Sequence, residues 1–184
     1  MKKIFSNQFV IVFALIVLIS ISKLIPGGIN FEPVLAVLLF AGAYVSSKKS
    51  ALLLLPAFLL LTDIIIYSNG GYEFFTILTL SVYLSYTLII LMGIKLKSDL
   101  SFRNVIITSI AACLLFFVIT NFTAWADGSC GLYSKDLTGL LDAFSAALFP
   151  YFTDSIISTL LYSGVLFGTA EYLKHRSVLH AAAN

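Results

Sequence analysis

Six stretches of nearly unbroken apolar side chains set the plan of this chain, at about 9–25, 33–46, 51–67, 74–94, 105–125 and 153–172. A helix crosses the hydrocarbon core of a bilayer in about 20 residues, and most of these runs approach that length. None alternates with the period of two that a membrane barrel requires. The pattern therefore predicts an all-α membrane protein with six transmembrane helices. The joints between runs carry turn chemistry: Pro26-Gly27-Gly28, then Ser68-Asn-Gly-Gly71. Asn30 or Glu32 can cap the second span, and Pro33 suits its first turn, where a missing N–H costs nothing. Met1-Lys2-Lys3 before the first run resembles a signal peptide, but the run is long and has no small-x-small cleavage site, so a retained span is expected. The segment 136–149 is apolar at 137, 140, 141, 144, 148 and 149, which fits a short amphipathic helix lying at the interface or folded back over the bundle. Pro150 should end it. The expected organisation is one transmembrane domain over 1–172 and a polar tail over 173–184.

Spacing within the runs assigns faces. Thr76, Thr79, Tyr83, Tyr86, Ile90 and Gly93 form one helical stripe, which should face other helices or a cavity because lipid offers hydroxyls no partner. Gly42 and Ser46 share a face, as do Gly164 and Gly168, and small residues four apart let another backbone approach closely. Asn121 and Trp125 are also four apart and point the same way.

Composition agrees with the pattern. The chain has 184 residues, 60% of them apolar and 11% charged, against about 25% charged in soluble domains. The positions of the charges are more informative than their sum. Lys2, Lys3, Lys48, Lys49, Lys95, Lys97, Arg103, Lys174 and Arg176, nine of 11 Lys and Arg, fall at the termini and in the second and fourth loops. The positive-inside rule then puts both termini in the cytoplasm, in a multi-pass protein of the inner membrane. Glu32, Asp63, Glu73, Asp127, Asp136, Asp142 and Asp154 gather at the other side, with the only Trp. The outer mouth is polar, acidic and aromatic.

Absences narrow the function. The chain has no GxxxxGK[ST], HExxH or GxSxG, no Cys/His cluster and no basic stripe suited to nucleic acid. Cys113 and Cys130 have no metal spacing, and Cys113, inside an apolar run, reads as a small packing residue. Neither an enzyme nor a cofactor or metal protein is expected. Asp63, within a span, carries the insertion penalty of a charge in hydrocarbon. It is either a ligand contact in an outward cavity or a helix-end carboxylate bonded to a neighbouring hydroxyl. Asn121 and Trp125 offer an amide and a flat ring to a planar polar ligand, while Trp125 alone would anchor the helix at the headgroups. Asn30, Tyr83, Tyr133 and Asp154 are further candidates for the same site. Asp154 can equally cap a helix, Tyr83 can line a cavity or pack, and Tyr133 and Tyr151 can sit at the interface.

Several phrases resemble an uncharacterised bacterial family assigned to transport: Ile29-Asn-Phe-Glu-Pro-Val-Leu-Ala-Val-Leu-Leu-Phe-Ala-Gly-Ala43, Leu61-Thr-Asp63, Thr120-Asn-Phe-Thr-Ala-Trp125, Thr138-Gly-Leu, Ala146-Ala-Leu-Phe-Pro-Tyr-Phe152 and Leu166-Phe-Gly168. The family is similar to the substrate-binding S components of energy-coupling-factor (ECF) transporters. The resemblance implies six helices, capture of a vitamin-like nutrient from outside, and partners consisting of a transmembrane coupling protein and two ATPases. S components commonly carry an AxxxA contact for the coupling protein in their first helix. Here the first span has only Ala14, which makes Gly42 and Ser46 the alternative contact. The leading expectation is thus a membrane subunit that binds a small planar nitrogenous molecule through Asp63, Asn121 and Trp125 under a lid of residues 127–152. A ligand-free assembly protein using Gly164 and Gly168 and an autonomous proton-coupled carrier using Asp63 are the alternatives.

Overall fold

The computed structural model describes residues 31, 33–45, 47–70, 76–128 and 131–182. Among them there is no strand. The elements are α1 (Val34–Tyr44), α2 (Lys48–Gly70), α3 (Ile77–Leu96), α4 (Phe102–Asp127), α5 (Leu137–Ala147), a π-helical turn (Leu148–Phe152) and α6 (Thr153–Ala182). Among the described residues, three stretches are long and apolar enough to cross a membrane: Ile77–Leu96, Phe102–Asp127 and Leu137–Arg176. The last comprises α5, the π-helical turn and most of α6. The 9–25 span and Asn30 lie outside the described residues.

The sequence of α1 is apolar on every side, which is the signature of a helix enclosed by others. Ten of its residues, Val34 to Ala43, are buried, and it packs against α3, α6, α2 and α4. Its crossing with α3 is backbone on backbone. A Cβ on Gly42 would strike the Ile90 carbonyl and stand 2.9 Å from Gly93 Cα, and one on Gly93 would strike the Leu39 carbonyl. Only hydrogen fits at either position. This corrects the expectation that Gly42 meets a partner protein, because its face is already occupied by α3.

Gly164 and Gly168 are the opposite case: nothing described lies within 4 Å of a Cβ built at either. They open onto a groove of about 450 Å³ between α4 and α6, walled by Phe102, Val105, Ile106 and Phe167 among others. Beside it the Ser109 hydroxyl donates to Ser163 Oγ at 3.0 Å, joining α4 to α6. At the same end Phe40, Tyr44 and Phe167 form an aromatic cluster with centroids 4.5 to 5.8 Å apart. The Tyr44 hydroxyl donates to Glu171 Oε1 at 2.8 Å.

At the other end, α5 folds back along α4 as an amphipathic helix. Asp136 caps it by accepting the Gly139 N–H at 2.9 Å. Phe144 meets Phe117 of α4 edge to face at 5.4 Å, while Leu137 and Leu141 face outward. The regular helix stops at Ala147. Phe149 is extended (φ −136°, ψ 128°) and the Phe149–Pro150 peptide is cis, so the chain turns before α6 begins. α6 then runs to Ala182 without a break at 172, so the expected tail is largely a continuation of the last helix.

Candidate functional site

The end of the bundle formed by the C-terminal half of α4, by α5 and by the start of α6 borders a half-open cavity of about 400 Å³. Aromatic rings supply one part of its wall: Phe116 and Phe117 from α4, Tyr151 and Phe152 from the π-helical turn, and Tyr133 from the loop before α5. Ala124, Ala143, Ala146 and Ala147 supply a smooth second part. Thr120, Asn121, Ser155 and Cys113 are its other polar or polarisable lining groups.

The residues of α4 that reach the cavity are Phe116, Phe117, Thr120, Asn121 and Ala124, one helical face. Both polar members are bonded back to their own helix. Thr120 Oγ1 donates to the Phe116 carbonyl at 2.8 Å, and Asn121 Nδ2 donates to the Phe117 carbonyl at 2.8 Å. That amide orientation is fixed by chemistry, because only the NH₂ end can donate to a carbonyl. Asn121 Oδ1, the second N–H of the same amide and the lone pairs of Thr120 are what these residues can offer a guest. Deeper, Cys113 Sγ lies 3.5 Å from the Ser155 carbonyl. Buried Thr159 Oγ1 has no hydrogen-bond partner among the described residues.

A strap runs beside the cavity and contributes Tyr133 to its lining. After α4, Gly128 takes the left-handed conformation (φ 70°) that ends a helix. The chain then returns so that Lys135 Nζ donates to the Trp125 and Ala126 carbonyls at 2.8 and 2.7 Å. These are carbonyls of the last turn of α4, where the helix dipole favours a cation. Trp125 Nε1 donates to the Ser134 carbonyl at 2.9 Å. Gly139 lets α5 sit tightly on the strap, since a Cβ there would collide with Ser134. Tyr133 is thereby placed on the cavity. Asp136 accepts from the Ser134 hydroxyl at 2.6 Å and from the Gly139 N–H. These two donors hold its carboxyl below the usual carboxylate range.

Of the residues singled out in the sequence, the cavity lining contains Asn121 and Tyr133. Trp125 is beside it, packed on Phe122 at 5.6 Å and committed to the strap. Asp154 is in the first turn of α6 and does not line the cavity. Asp63 accepts the Tyr83 hydroxyl at 2.8 Å, a hydroxyl–carboxylate pair between α2 and α3. Tyr83 lines a separate apolar hollow with Pro56, Leu60 and Leu80. A line of contacts nevertheless runs from the acid to the cavity. Tyr83 meets Tyr86 edge to face at 5.5 Å, and Tyr86 stacks on the cavity residue Phe116 at 5.8 Å. Sequence reasoning missed Thr120 and the α5 alanines, and read Cys113 and Tyr151 as packing and interfacial residues. For Thr120 the signal was available: it lies next to Asn121 and four residues after Phe116.

Described residues that form helices and no strand, with three stretches among them long and apolar enough to cross a membrane, define the class as a helical membrane protein. The chain belongs to the family described as a family of unknown function, DUF6580, whose match extends over residues 3–182. No curated protein and no solved structure matches it.

Proposed function

We propose that this protein is a substrate-binding subunit of a membrane uptake system, taking a small planar, vitamin-like or nitrogenous molecule from the outer face. The observation that carries this reading is the cavity of about 400 Å³ lined by five aromatic rings and the Asn121 amide. That size lies within the ~300–1,000 Å³ of small-molecule sites. In this reading the chain crosses the inner membrane six times with both termini inside. The six apolar runs and the cluster of Lys and Arg at alternate ends support that topology. The strap from Gly131 to Asp136 and α5 form the lid. The chain has no ATP-hydrolysing motif, so transport would need partners, and the resemblance to ECF S components suggests a coupling protein and two ATPases. Affinity isolation from native membranes, with mass spectrometry of proteins and released metabolites, tests both parts. A bound planar metabolite that Asn121→Leu and Tyr133→Ala remove supports the cavity. A chain that carries no metabolite and whose uptake phenotype survives both substitutions overturns it.

A second reading is favoured by the open face at Gly164 and Gly168: an assembly protein that seats another helix in that groove. It predicts that Gly164→Leu abolishes a complex while Asn121→Leu leaves it intact.

A further inference from the structure

We infer that the molecule held in the α4–α5–α6 cavity is an uncharged aromatic that presents N–H or O–H donors from one edge; this rests on reading the cavity as a ligand site. Two independent features of the wall point there. First, among the described residues the lining contains no Asp, Glu, Lys, Arg or His. The strap's cation, Lys135, is held on two main-chain carbonyls, and its acid, Asp136, on Ser134 and Gly139. A charged guest would leave water without a counter-charge, which is among the costliest arrangements a protein interior can impose. Second, the one donor of Thr120 is used on the Phe116 carbonyl and one of the two N–H groups of Asn121 on the Phe117 carbonyl. What they turn to a guest is acceptor oxygen, above all Asn121 Oδ1, with the second N–H of the same amide beside it. A site built this way discriminates strongly against an analogue that lacks the donor, because the acceptor is then buried unpaired. The rings of Phe116, Phe117 and Phe152 against the alanine wall favour a flat aromatic body.

Four isosteres separate these requirements. Benzamide is neutral and bears donors. N,N-dimethylbenzamide is neutral without donors, benzoate is an anion, and benzamidinium is a cation with donors. The 2-naphthyl series repeats the set at larger size. Thermal stabilisation of the full chain in lipid nanodiscs is measured with each. The expected result is stabilisation by benzamide or 2-naphthamide, with the other members of that series binding roughly tenfold or more weakly. Asn121→Leu should erase the difference between the amide and its dimethyl derivative. If benzoate or benzamidinium stabilises as well as the amide, and Tyr133→Ala abolishes the effect, the cavity binds ligands but the inferred class is wrong. If no member of either series shifts the transition, the cavity is not a site for aromatic ligands and the functional reading falls with the inference.

Discussion

The indole N–H of Trp125 donates to the carbonyl of Ser134 at 2.9 Å. This single bond changes what the chain's only tryptophan does. Its ring is used to hold the strap beside the cavity, and Asn121, one turn earlier, is the residue that lines it.

Trp125→Phe keeps an aromatic ring on Phe122 and deletes the bond. The expected cost is about 1 kcal/mol, localised to the strap. Hydrogen exchange should accelerate at residues 131–136 and stay unchanged in α1 and α3. Binding of a cavity ligand should weaken several-fold, whereas Asn121→Leu should alter which ligands bind. Equal exchange in the strap of both proteins would show that the indole is not its anchor.

The Asp136 cap makes the strap sensitive to acid. The folded carboxyl titrates below its unfolded value of about 3.9, so it binds protons less readily than in the unfolded chain. Its contribution is complete above the unfolded pKa and is lost as pH falls through the folded one. Exchange protection at the start of α5 should therefore be flat from neutral pH down to the ordinary carboxylate range and fall below it. Asp136→Asn, which retains a capping oxygen, should flatten that acid limb. A limb that persists in the variant assigns it to another group.

The two glycine pairs should respond in opposite ways. Gly93→Ala drives a methyl into the Leu39 backbone and should cost about 1–3 kcal/mol or more, as overpacking does. Gly164→Ala meets no atom of the described residues and should be neutral or stabilise by up to about 1 kcal/mol through helix propensity. Denaturation in detergent compares them directly. A strongly destabilised Gly164→Ala would mean that the groove is filled in the assembled protein.

Tyr83→Phe removes the donor to Asp63 Oδ2. Withdrawing a hydrogen bond from a half-buried carboxylate should cost about 1–3 kcal/mol, and Asp63→Asn less, since the charge goes with the bond. If Asp63 moved protons for a carrier, Asp63→Asn would abolish transport while leaving the fold intact. If it serves structure alone, transport should track stability in both variants.

The helical frame was legible in the sequence because apolar runs and turn residues act locally. The run 105–125 became α4, and the amphipathic segment expected at 136–149 became α5. Of the stripe from Thr76 to Gly93, Tyr83 bonds Asp63 and Gly93 meets Leu39 across helices, while Thr76 caps its own helix α3. Of the cavity lining, the sequence singled out Asn121 by its helical spacing and Tyr133 by its place in the loop before α5. What escaped depends on long-range placement. No spacing rule says that Gly42 would be matched by Gly93 on another helix. Nor does one say that Trp125 would find a main-chain carbonyl nine residues on. Asp63 was rightly flagged as needing a partner, but the partner, Tyr83, is fixed by the packing of α2 on α3 and by nothing local.

Trp125 and Lys135 fasten the strap entirely through main-chain carbonyls, those of Ser134, Trp125 and Ala126. Every residue type supplies a carbonyl, so the side chains at 126 and 134 are not needed by these bonds. Position 133 can then exchange its tyrosine without loosening the roof that carries it. A lineage under pressure to accept a new compound could change its preference by substitution at that one place, while the scaffold that presents the residue is inherited intact.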